Sequence, residues 1–365
     1  MHIADVAAAV PPGTALDAAV RARTSSLFLP DRAVLMFPPE LVVARLSLRV
    51  GEACDALTGV FRVDAEGRVV SARFVRSLVR LARRVDYADT HDPAALAPDG
   101  DTGRALLRVG EALRAARERR GARVLRLPSA KVVAPAGIPS IDVRLQDTPG
   151  DVVVSEAMVL HNTQAGELLA AAGAPALFRG QSSDVPADRP VPEPGDALYP
   201  VRIRRTFAPT ETSVDPRPHA GLGALAYAQC TSPMRRYTDL VNQRQLAAAA
   251  CGAPPPHTRE ELEGLVPFLH ERERAVRHAA DQRAQYFTAR AVLASGLDRV
   301  RGVLAKTPRR GLGSVWVPTL CRELPLRAPR GWRAPAEGTE AEWRITAVRP
   351  FRGRIELAPA DPVVA

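Results

Sequence analysis

The sequence predicts an α+β fold in two parts, a larger one over residues 1–297 and a small OB-type β-barrel over residues 298–365. Three observations predict it. Apolar residues recur at helical spacing in several long segments, two strand-like runs flank a hairpin turn, and short strands with Gly and Pro turns fill the end of the chain. At 365 residues the chain is too long for one ordinary core, which favours two domains.

The first hundred residues predict short elements. Residues 1–10 are apolar and compatible with a strand, and residues 11–13 (Pro-Pro-Gly) indicate a turn. A short helix is predicted over residues 17–23. Residues 60–63 and 69–74 flank the sequence Asp-Ala-Glu-Gly, which predicts a β-hairpin.

The middle of the chain contains the predicted long helices. Asp101 or Thr102 can cap a helix that ends near Arg120. One face of this helix carries four arginines, for which a solvated surface is the favoured interpretation: Arg104, Arg114, Arg117 and Arg120. Further helices are predicted over three segments: residues 156–172, 239–250 and 259–297. Strands are predicted at residues 132–133 and 141–145.

The segment after residue 298 changes in character. Strand-like runs are found at four places: residues 300–304, 313–317, 341–348 and 353–357. Short strands with Gly and Pro turns in so small a segment predict a five-stranded barrel of OB type. Such a barrel can be purely structural or can bind nucleic acid, and the sequence that precedes it favours nucleic acid.

The charge of the chain favours a polyanionic partner. The formal net charge is +10, and lysine occurs only at Lys131 and Lys306, so nearly all the positive charge is carried by arginine. Arginine binds phosphates through two hydrogen bonds and stacks on bases. An arginine bias also follows from GC-rich coding, and both explanations stay open.

The remaining composition gives expectations about location and redox chemistry. No apolar stretch approaches the ~20 residues that span a bilayer, and the N-terminus lacks the basic start of a signal peptide. We therefore expect a cytoplasmic protein that has no membrane partner, and no obligate protein partner is evident. The cysteines are scattered without a C-x-x-C pair, which favours neither disulfides nor a zinc site: Cys54, Cys230, Cys251 and Cys321.

The most informative motif lies at residues 219–240 and reads HAGLGALAYAQCTSPMRRYTDL. Two hydroxyl residues precede a proline turn, and two arginines and a tyrosine then open a helix: Thr231, Ser232, Arg235, Arg236 and Tyr237. Hydroxyls, arginines and helix-start amides can hold phosphates, although a helix cap with a surface ion pair would use the same residues. The motif resembles the T-S-P-I-R-R-Y-x-D-L signature of the ribonuclease II (RNB) family.

Further segments resemble motifs of this family in the family's own order. They include His2–Ala7, Asp17–Pro30, Met36–Leu41 and Glu156–Asn162. On these motifs the chain is identified as a member of the RNB family. The resemblance implies an RNB catalytic domain over residues 1–297, a mixed β-sheet with surrounding helices, followed by an RNA-binding barrel over residues 298–365.

The resemblance also implies an activity, that of a 3′→5′ exoribonuclease. Such an enzyme feeds single-stranded RNA, 3′ end first, into a narrow channel and hydrolyses it with Mg²⁺ to nucleoside 5′-monophosphates. Phe28 stands where the family has a base-stacking tyrosine, and Tyr87 stands at the other stacking position. Stacking on an aromatic ring contributes about 1–3 kcal/mol per base.

The signature motif supplies the remaining expected contacts. Arg235 matches the catalytic arginine that holds the phosphate being cleaved, where charge develops in the transition state. Arg236 is expected to hold a neighbouring phosphate or a carboxylate. We also expect Thr231, Ser232 and Tyr237 to contact RNA.

The sequence departs from the family at the metal site. The family binds Mg²⁺ with a run of aspartates just upstream of its H-I-A-D-V motif, a position that would precede Met1. No metal ligand is therefore predicted in the chain. Two explanations stay open, of which the first is favoured: Met1 is not the natural start, or the protein is a non-catalytic RNA-binding pseudoenzyme.

Overall fold

The fold of the chain was analysed in a computed structural model, which describes residues 1–86, 89–97, 99–125, 127–145, 147–183, 192–193 and 195–360. The α-helices are α1 (Val6–Ala9), α2 (Ala15–Arg23), α3 (Pro39–Leu41), α4 (Gly100–Arg119), α5 (Pro149–Ala171), α6 (Tyr199–Arg204), α7 (Tyr237–Ala250) and α8 (Arg259–Ala294). The early strands are β1 (His2–Ala4), β2 (Leu27–Phe28), β3 (Ala33–Val34), β4 (Ala53–Val63), β5 (Val69–Arg80), β6 (Pro128–Val133), β7 (Ser140–Leu145), β8 (Phe178–Gln181) and β9 (Thr210–Ser213). The later strands are β10 (Arg299–Arg309), β11 (Leu312–Val317), β12 (Arg322–Arg327), β13 (Glu340–Arg349) and β14 (Arg354–Pro359). The predicted α+β class is confirmed.

Antiparallel ladders dominate the first part of the chain. β1, β4 and β5 form one sheet in the order β1-β4-β5, and β2–β3, β6–β7 and β8–β9 form two-stranded ladders. Every one of these pairings is antiparallel. Over the described ranges, parallel pairing in this part is limited to two single bridges, Val50 with Leu81 and Gln181 with His219. The described strands of this part therefore combine antiparallel ladders with two parallel bridges.

The N-terminal ten residues divide between a strand and a helix. Their apolar character predicts a strand, but only His2–Ala4 pairs, in register with Thr58 to Ala56 of β4. The carboxylate of Asp5 then accepts a hydrogen bond from the Ala8 amide at 3.0 Å and caps α1. The strand ends early because this cap begins a helix.

The predicted hairpin is present as β4 and β5. Its turn is held by Asp64, whose side chain accepts hydrogen bonds from the amides of Glu66 and Arg68. Gly67 has φ +80°, and a Cβ there would lie 2.1 Å from the backbone oxygen of Ala112 on α4. The turn therefore requires glycine both for its backbone conformation and for its packing on the helix.

The interpretation of the α4 arginines as a solvated face is wrong for two of them. Arg117 is buried and donates to both carboxylate oxygens of Glu156 on α5 at 2.7 Å. Arg114 contacts Glu156 at 3.3 Å and Asp147 at 2.9 Å. Helical spacing identified the face but could not reveal that α5 covers it with a buried carboxylate.

The predicted long helices are confirmed, with earlier starts for three of them. α4 begins at Gly100 and is capped by Asp99, so the predicted cap by Asp101 or Thr102 is wrong. α5 begins at Pro149 because Thr148 and Asp151 form a capping box, and α7 begins at Tyr237. α8 begins at a second capping box, between Thr258 and Glu261. Its C-terminal end packs into the apolar core of the barrel through Ala289 and Val292.

The predicted five-stranded barrel is also confirmed. It is closed in the order β10-β11-β12-β14-β13, and β12 is the strand that the four sequence runs did not include. β12 pairs along its length with β11 and meets β14 in parallel at Leu326 and Leu357. The proposed domain boundary at 297/298 falls between the last residue of α8 and the first of β10, and it stays a prediction.

Two further expectations concern single features. All four cysteines are free thiols in the structure. Within the described residues, no helix is both long and apolar enough to cross a membrane.

Candidate functional site

The signature motif forms the entry to α7, and one buried carboxylate holds it in shape. Asp239, in the first turn of α7, accepts a hydrogen bond from the Ser232 amide at 2.8 Å. It also accepts two from the Arg236 guanidinium, both at 2.7 Å. The Ser232 carbonyl in turn accepts from the amides of Arg235 and Arg236, which closes the turn. Ser232 thus contributes its backbone to the turn.

Arg236 was predicted to hold a phosphate or a carboxylate, and in the structure it pairs with the carboxylate of Asp239. Burial works against its charge, but the nearby Asp239 carboxylate outweighs this effect, so the pKa of Arg236 is raised. Arg236 therefore stabilises the turn beside Arg235. A phosphate contact by Arg236 stays a prediction.

The segment that leads into Phe28 pairs with the segment that contains Arg235. The Ser26 amide donates to the Arg235 carbonyl at 3.0 Å, and the Tyr237 amide donates to the Thr24 carbonyl at 2.8 Å. Residues 24–26 therefore run beside the signature motif, and Phe28 follows them in β2. The Arg235 side chain is exposed, and the Phe28 ring, at the end of β2, is 56% exposed. Both side chains are accessible to a ligand.

Tyr237 is placed differently from its prediction. It is only 2% exposed, and its hydroxyl donates to Asp17 on α2 at 3.0 Å. Arg244 donates to the same carboxylate oxygen at 2.7 Å. The expectation of an RNA contact by Tyr237 is therefore corrected: its ring belongs to the core between α2 and α7.

Asn162 on α5 supports the other end of the motif. Its side-chain amide donates to the Thr231 hydroxyl at 3.3 Å and to the Tyr227 hydroxyl at 3.0 Å, and its oxygen accepts from the Cys230 amide at 3.0 Å. Asn162 is buried, as Asp239 is. The sequence pattern contained both residues, but nothing in their spacing assigned them this supporting role.

Tyr87, the second predicted stacking residue, lies outside the described residues. Its proposed role is unchanged.

The described side chains do not fit a magnesium site. In that part of the chain, no group of three or more His, Cys, Asp or Glu residues could hold a metal ion. The Asp5 carboxylate, near the expected position, caps α1 and pairs with Arg76 at 3.1 Å. A fixed set of oxygen ligands, which Mg²⁺ requires, is not formed by these residues.

The amino-acid sequence was compared with models of protein families and with the sequences of known proteins. The RNB domain model matches residues 1–195 and 191–251. An uncharacterized ribonuclease of Synechocystis is 31% identical over 363 residues, which cover 98% of this chain and 54% of the relative. The chloroplastic/mitochondrial ribonuclease II of Arabidopsis thaliana is 28% identical over 302 residues, covering 79% of this chain and 37% of that protein. The chain therefore belongs to the RNB domain family, and it spans about half or less of the length of these relatives.

Solved structures share the fold at low sequence identity. The Dss1 exoribonuclease of Candida glabrata superposes with a TM-score of 0.86 at 19% identity, over 99% of this chain and 50% of that one. RNase R of Mycoplasma genitalium, in complex with ribose-methylated single-stranded RNA, superposes with a TM-score of 0.85 at 17% identity. The match covers 98% of this chain and 66% of that one. Yeast Ssd1, a pseudonuclease, superposes with a TM-score of 0.71 at 18% identity, over 89% of this chain and 45% of that one. The fold thus occurs both in nucleases and in a pseudonuclease.

Proposed function

We propose that the protein is a 3′→5′ exoribonuclease that degrades single-stranded RNA to nucleoside 5′-monophosphates in the cytoplasm, with Mg²⁺ as its cofactor. The observation that carries the proposal is the backbone pairing of residues 24–26 with the signature motif, because Arg235 lies in that motif and Phe28 follows the paired segment by two residues. Membership of the RNB family and the RNA-bound RNase R with the same fold support it.

The proposed roles follow from the chemistry of the side chains. Arg235 holds the phosphate that is cleaved, because a guanidinium donates paired hydrogen bonds to phosphate oxygens and stabilises charge that develops there. Phe28 stacks on a base, and its phenyl ring lacks the hydroxyl of the family's usual tyrosine. Thr231 and Ser232 offer hydroxyls beside Arg235, and Tyr87 is the proposed second stacking residue.

The Mg²⁺ ion is part of this proposal only because the RNB family is expected to use it. In RNB-type hydrolysis, Mg²⁺ would activate water and neutralise phosphate charge. Because the described residues do not form a carboxylate site, we assign no residue of this chain to the ion. The chain's own contribution is to hold and orient the RNA.

A second candidate function is RNA binding without cleavage. It is favoured by the lack of a carboxylate cluster among the described residues, and by the fold shared with the pseudonuclease Ssd1. Both functions need the surface of Phe28 and Arg235. They differ in whether RNA is shortened.

The experiment that distinguishes them is a degradation assay on the protein purified from its natural source. Single-stranded RNA labelled at its 5′ end is incubated with the protein and Mg²⁺, and the products are separated by length. We expect a ladder that shortens from the 3′ end and disappears when EDTA is added. Stable binding of intact RNA under the same conditions would support the second candidate instead.

A further inference from the structure

The short ladder that carries Phe28 has little support of its own. Among the described residues, β2 and β3 pair at two positions, one of which joins Phe28 to Ala33. The turn between the strands is closed by a hydrogen bond from the Leu29 amide to the Arg32 carbonyl at 2.8 Å. An isolated two-stranded ladder is at best marginally stable in water. Contacts from other elements therefore decide how firmly the Phe28 ring is held.

Asp31, in the turn between β2 and β3, fastens this ladder to α8. The Arg283 guanidinium donates from Nε to one carboxylate oxygen of Asp31 at 3.1 Å and from Nη2 to the other at 2.6 Å. Two parallel hydrogen bonds between a guanidinium and a carboxylate fix their relative orientation as well as their distance. The Asp31 side chain is 18% exposed, so much of it is shielded from water.

Arg283 is itself held in place by aromatic rings of α8. Its guanidinium carbon lies 4.7 Å from the ring centroid of Phe287 and 5.2 Å from that of Tyr286. Phe287 is 2% exposed and belongs to the interior. Contacts between a cation and aromatic rings are attractive and restrict the guanidinium to their surface. Asp31 is therefore bound to a defined point on α8.

A second contact reaches the turn from the segment that follows β6. The amide of Ala134 donates to the carbonyl of Pro30 at 2.8 Å, and Ala134 is fully buried. The turn is thus held by a backbone hydrogen bond on Pro30 and by a side-chain ion pair on Asp31. A ring that is held before the ligand arrives loses less conformational freedom on binding than a ring on a free loop.

We propose that Asp31 and Arg283 are positioning residues for Phe28: their ion pair holds the β2–β3 turn against α8 and so presents the exposed ring for base stacking. The inference rests on the proposed function, because stacking by Phe28 is part of that proposal. It makes Asp31, a carboxylate, a residue that favours the binding of a polyanion.

This sign separates the positioning role from a direct electrostatic role. If Asp31 acted on RNA only through its charge, its removal would relieve repulsion of the phosphates and leave Arg283 available to them, and the affinity would rise. If Asp31 positions Phe28, its removal loosens the ring and the affinity falls. The two roles therefore predict changes in opposite directions.

The test is the affinity of the 365-residue chain for a 5′-fluorescein-labelled single-stranded RNA, measured by fluorescence anisotropy. Asp31→Asn is expected to weaken binding by about two-fold to five-fold, the usual effect of one lost ion pair of this exposure. Arg283→Lys keeps the charge but loses the paired hydrogen bonds, and it should weaken binding similarly. Tighter or unchanged binding in Asp31→Asn overturns the inference.

A double-mutant cycle shows whether the effect passes through the ring. In the Phe28→Ala background, Asp31→Asn should no longer weaken binding, because the side chain that it positions is absent. An equal loss in both backgrounds overturns the inference. Glu263→Gln removes a carboxylate from an exposed pair with Arg259 on the same helix, and as the matched control it should not weaken binding.

Hydrogen exchange measures the turn without RNA. In Asp31→Asn, the peptide that spans residues 27–34 should exchange faster than in the wild type, while peptides of β10 and β13 stay unchanged. Unchanged exchange over residues 27–34 overturns the inference alone. If the wild type binds no RNA at all, the proposed function fails, and the inference fails with it.

Discussion

At the scale of single residues, the candidate site depends on the Asp239 carboxylate, which accepts hydrogen bonds from three nitrogen atoms. One is the Ser232 amide, and the other two are guanidinium nitrogens of Arg236. These bonds fix the turn on which Arg235 sits. Arg236 therefore stabilises this turn, and the exposed Arg235 is the proposed phosphate ligand.

The first prediction concerns Arg235. In the natural protein, Arg235→Ala should lower the single-turnover rate of RNA cleavage by about 100-fold or more, because a donor aimed at transition-state charge is lost. The RNA dissociation constant should change much less. Arg104→Ala, on the exposed surface of α4, is the control and should leave both unchanged. Equal losses in rate and affinity would reduce Arg235 to a binding residue.

The second prediction concerns the pH dependence of stability through Asp17. Burial raises the pKa of this carboxyl, but hydrogen bonds from Arg244, Gly13 and Tyr237 outweigh it, so the pKa lies below its ordinary 3.8. The folded state therefore favours the charged form. The resulting stabilisation is fully present above pH 3.8 and is lost as the pH falls through the lower folded-state pKa.

The measurement for Asp17 is the free energy of urea unfolding from neutral pH down to acid. Asp17→Asn should be less stable than the wild type at neutral pH, and the difference should shrink as the pH falls below 3.8. An unchanged difference across the acid range would show that this carboxylate does not contribute as described.

At the scale of elements, the packing of α4 on α5 is held by a buried ion pair. Glu156 is 1% exposed and accepts two hydrogen bonds from Arg117. Glu156→Gln should lower the free energy of unfolding by about 3–5 kcal/mol, because it leaves a buried guanidinium without its charge partner. Asp101→Asn, in the exposed pair with Arg104 on the same α4, should change it by less than about 1 kcal/mol. A chemical denaturation series measures both, and similar small effects would contradict the structural role of Glu156.

The end of α8 belongs structurally to the barrel core. Val292 is buried in the same cluster as Val300 and Trp343. Val292→Ala should destabilise the barrel by about 2 kcal/mol, through lost burial and a small cavity. The neighbouring Leu293 is exposed, so Leu293→Ala is the control.

The barrel supplies its own probe for this prediction. All three tryptophans of the chain lie there: Trp316, Trp332 and Trp343. Their fluorescence during denaturation should shift to lower denaturant in Val292→Ala and stay unchanged in Leu293→Ala. If both variants unfold like the wild type, α8 is not part of the barrel's folding unit.

Local patterns predicted the elements well, because hairpins and helices follow from neighbours in the sequence. The turn at Asp64–Gly67 and the strands of the barrel were visible in this way. Contacts between distant elements were not visible. Arg117 looked solvated because its partner Glu156 is 39 positions away, and Tyr237 looked accessible because Asp17 is 220 positions away.

The candidate site was predictable only in part for the same reason. The motif identified Arg235 and the family identified Phe28, but no spacing rule joins residues 28 and 235. Asp239 stood within the motif without a sign that it holds the turn. The ion pair between Asp31 and Arg283 likewise joins residues that only the folded chain brings together.

At the scale of the whole molecule, the formal net charge of +10 favours a polyanionic partner, such as the proposed RNA. Each phosphate neutralised by arginine releases a bound counterion, so the binding constant should fall steeply with salt. For about four phosphate contacts on a single strand, a threefold rise in salt should weaken binding roughly 20-fold. Dissociation constants measured over a series of KCl concentrations give the slope, and a flat line would exclude a phosphate-based interface.

The central claim is that this chain holds single-stranded RNA on the surface of Phe28 and Arg235, and its most direct test is a comparison of affinities. The dissociation constants of the 365-residue chain are measured for a single-stranded RNA and for the blunt duplex of the same sequence, in one buffer. We predict that the single strand binds at least about tenfold more tightly, because its bases are free to stack on aromatic rings. Equal affinity, or a preference for the duplex, would contradict the account.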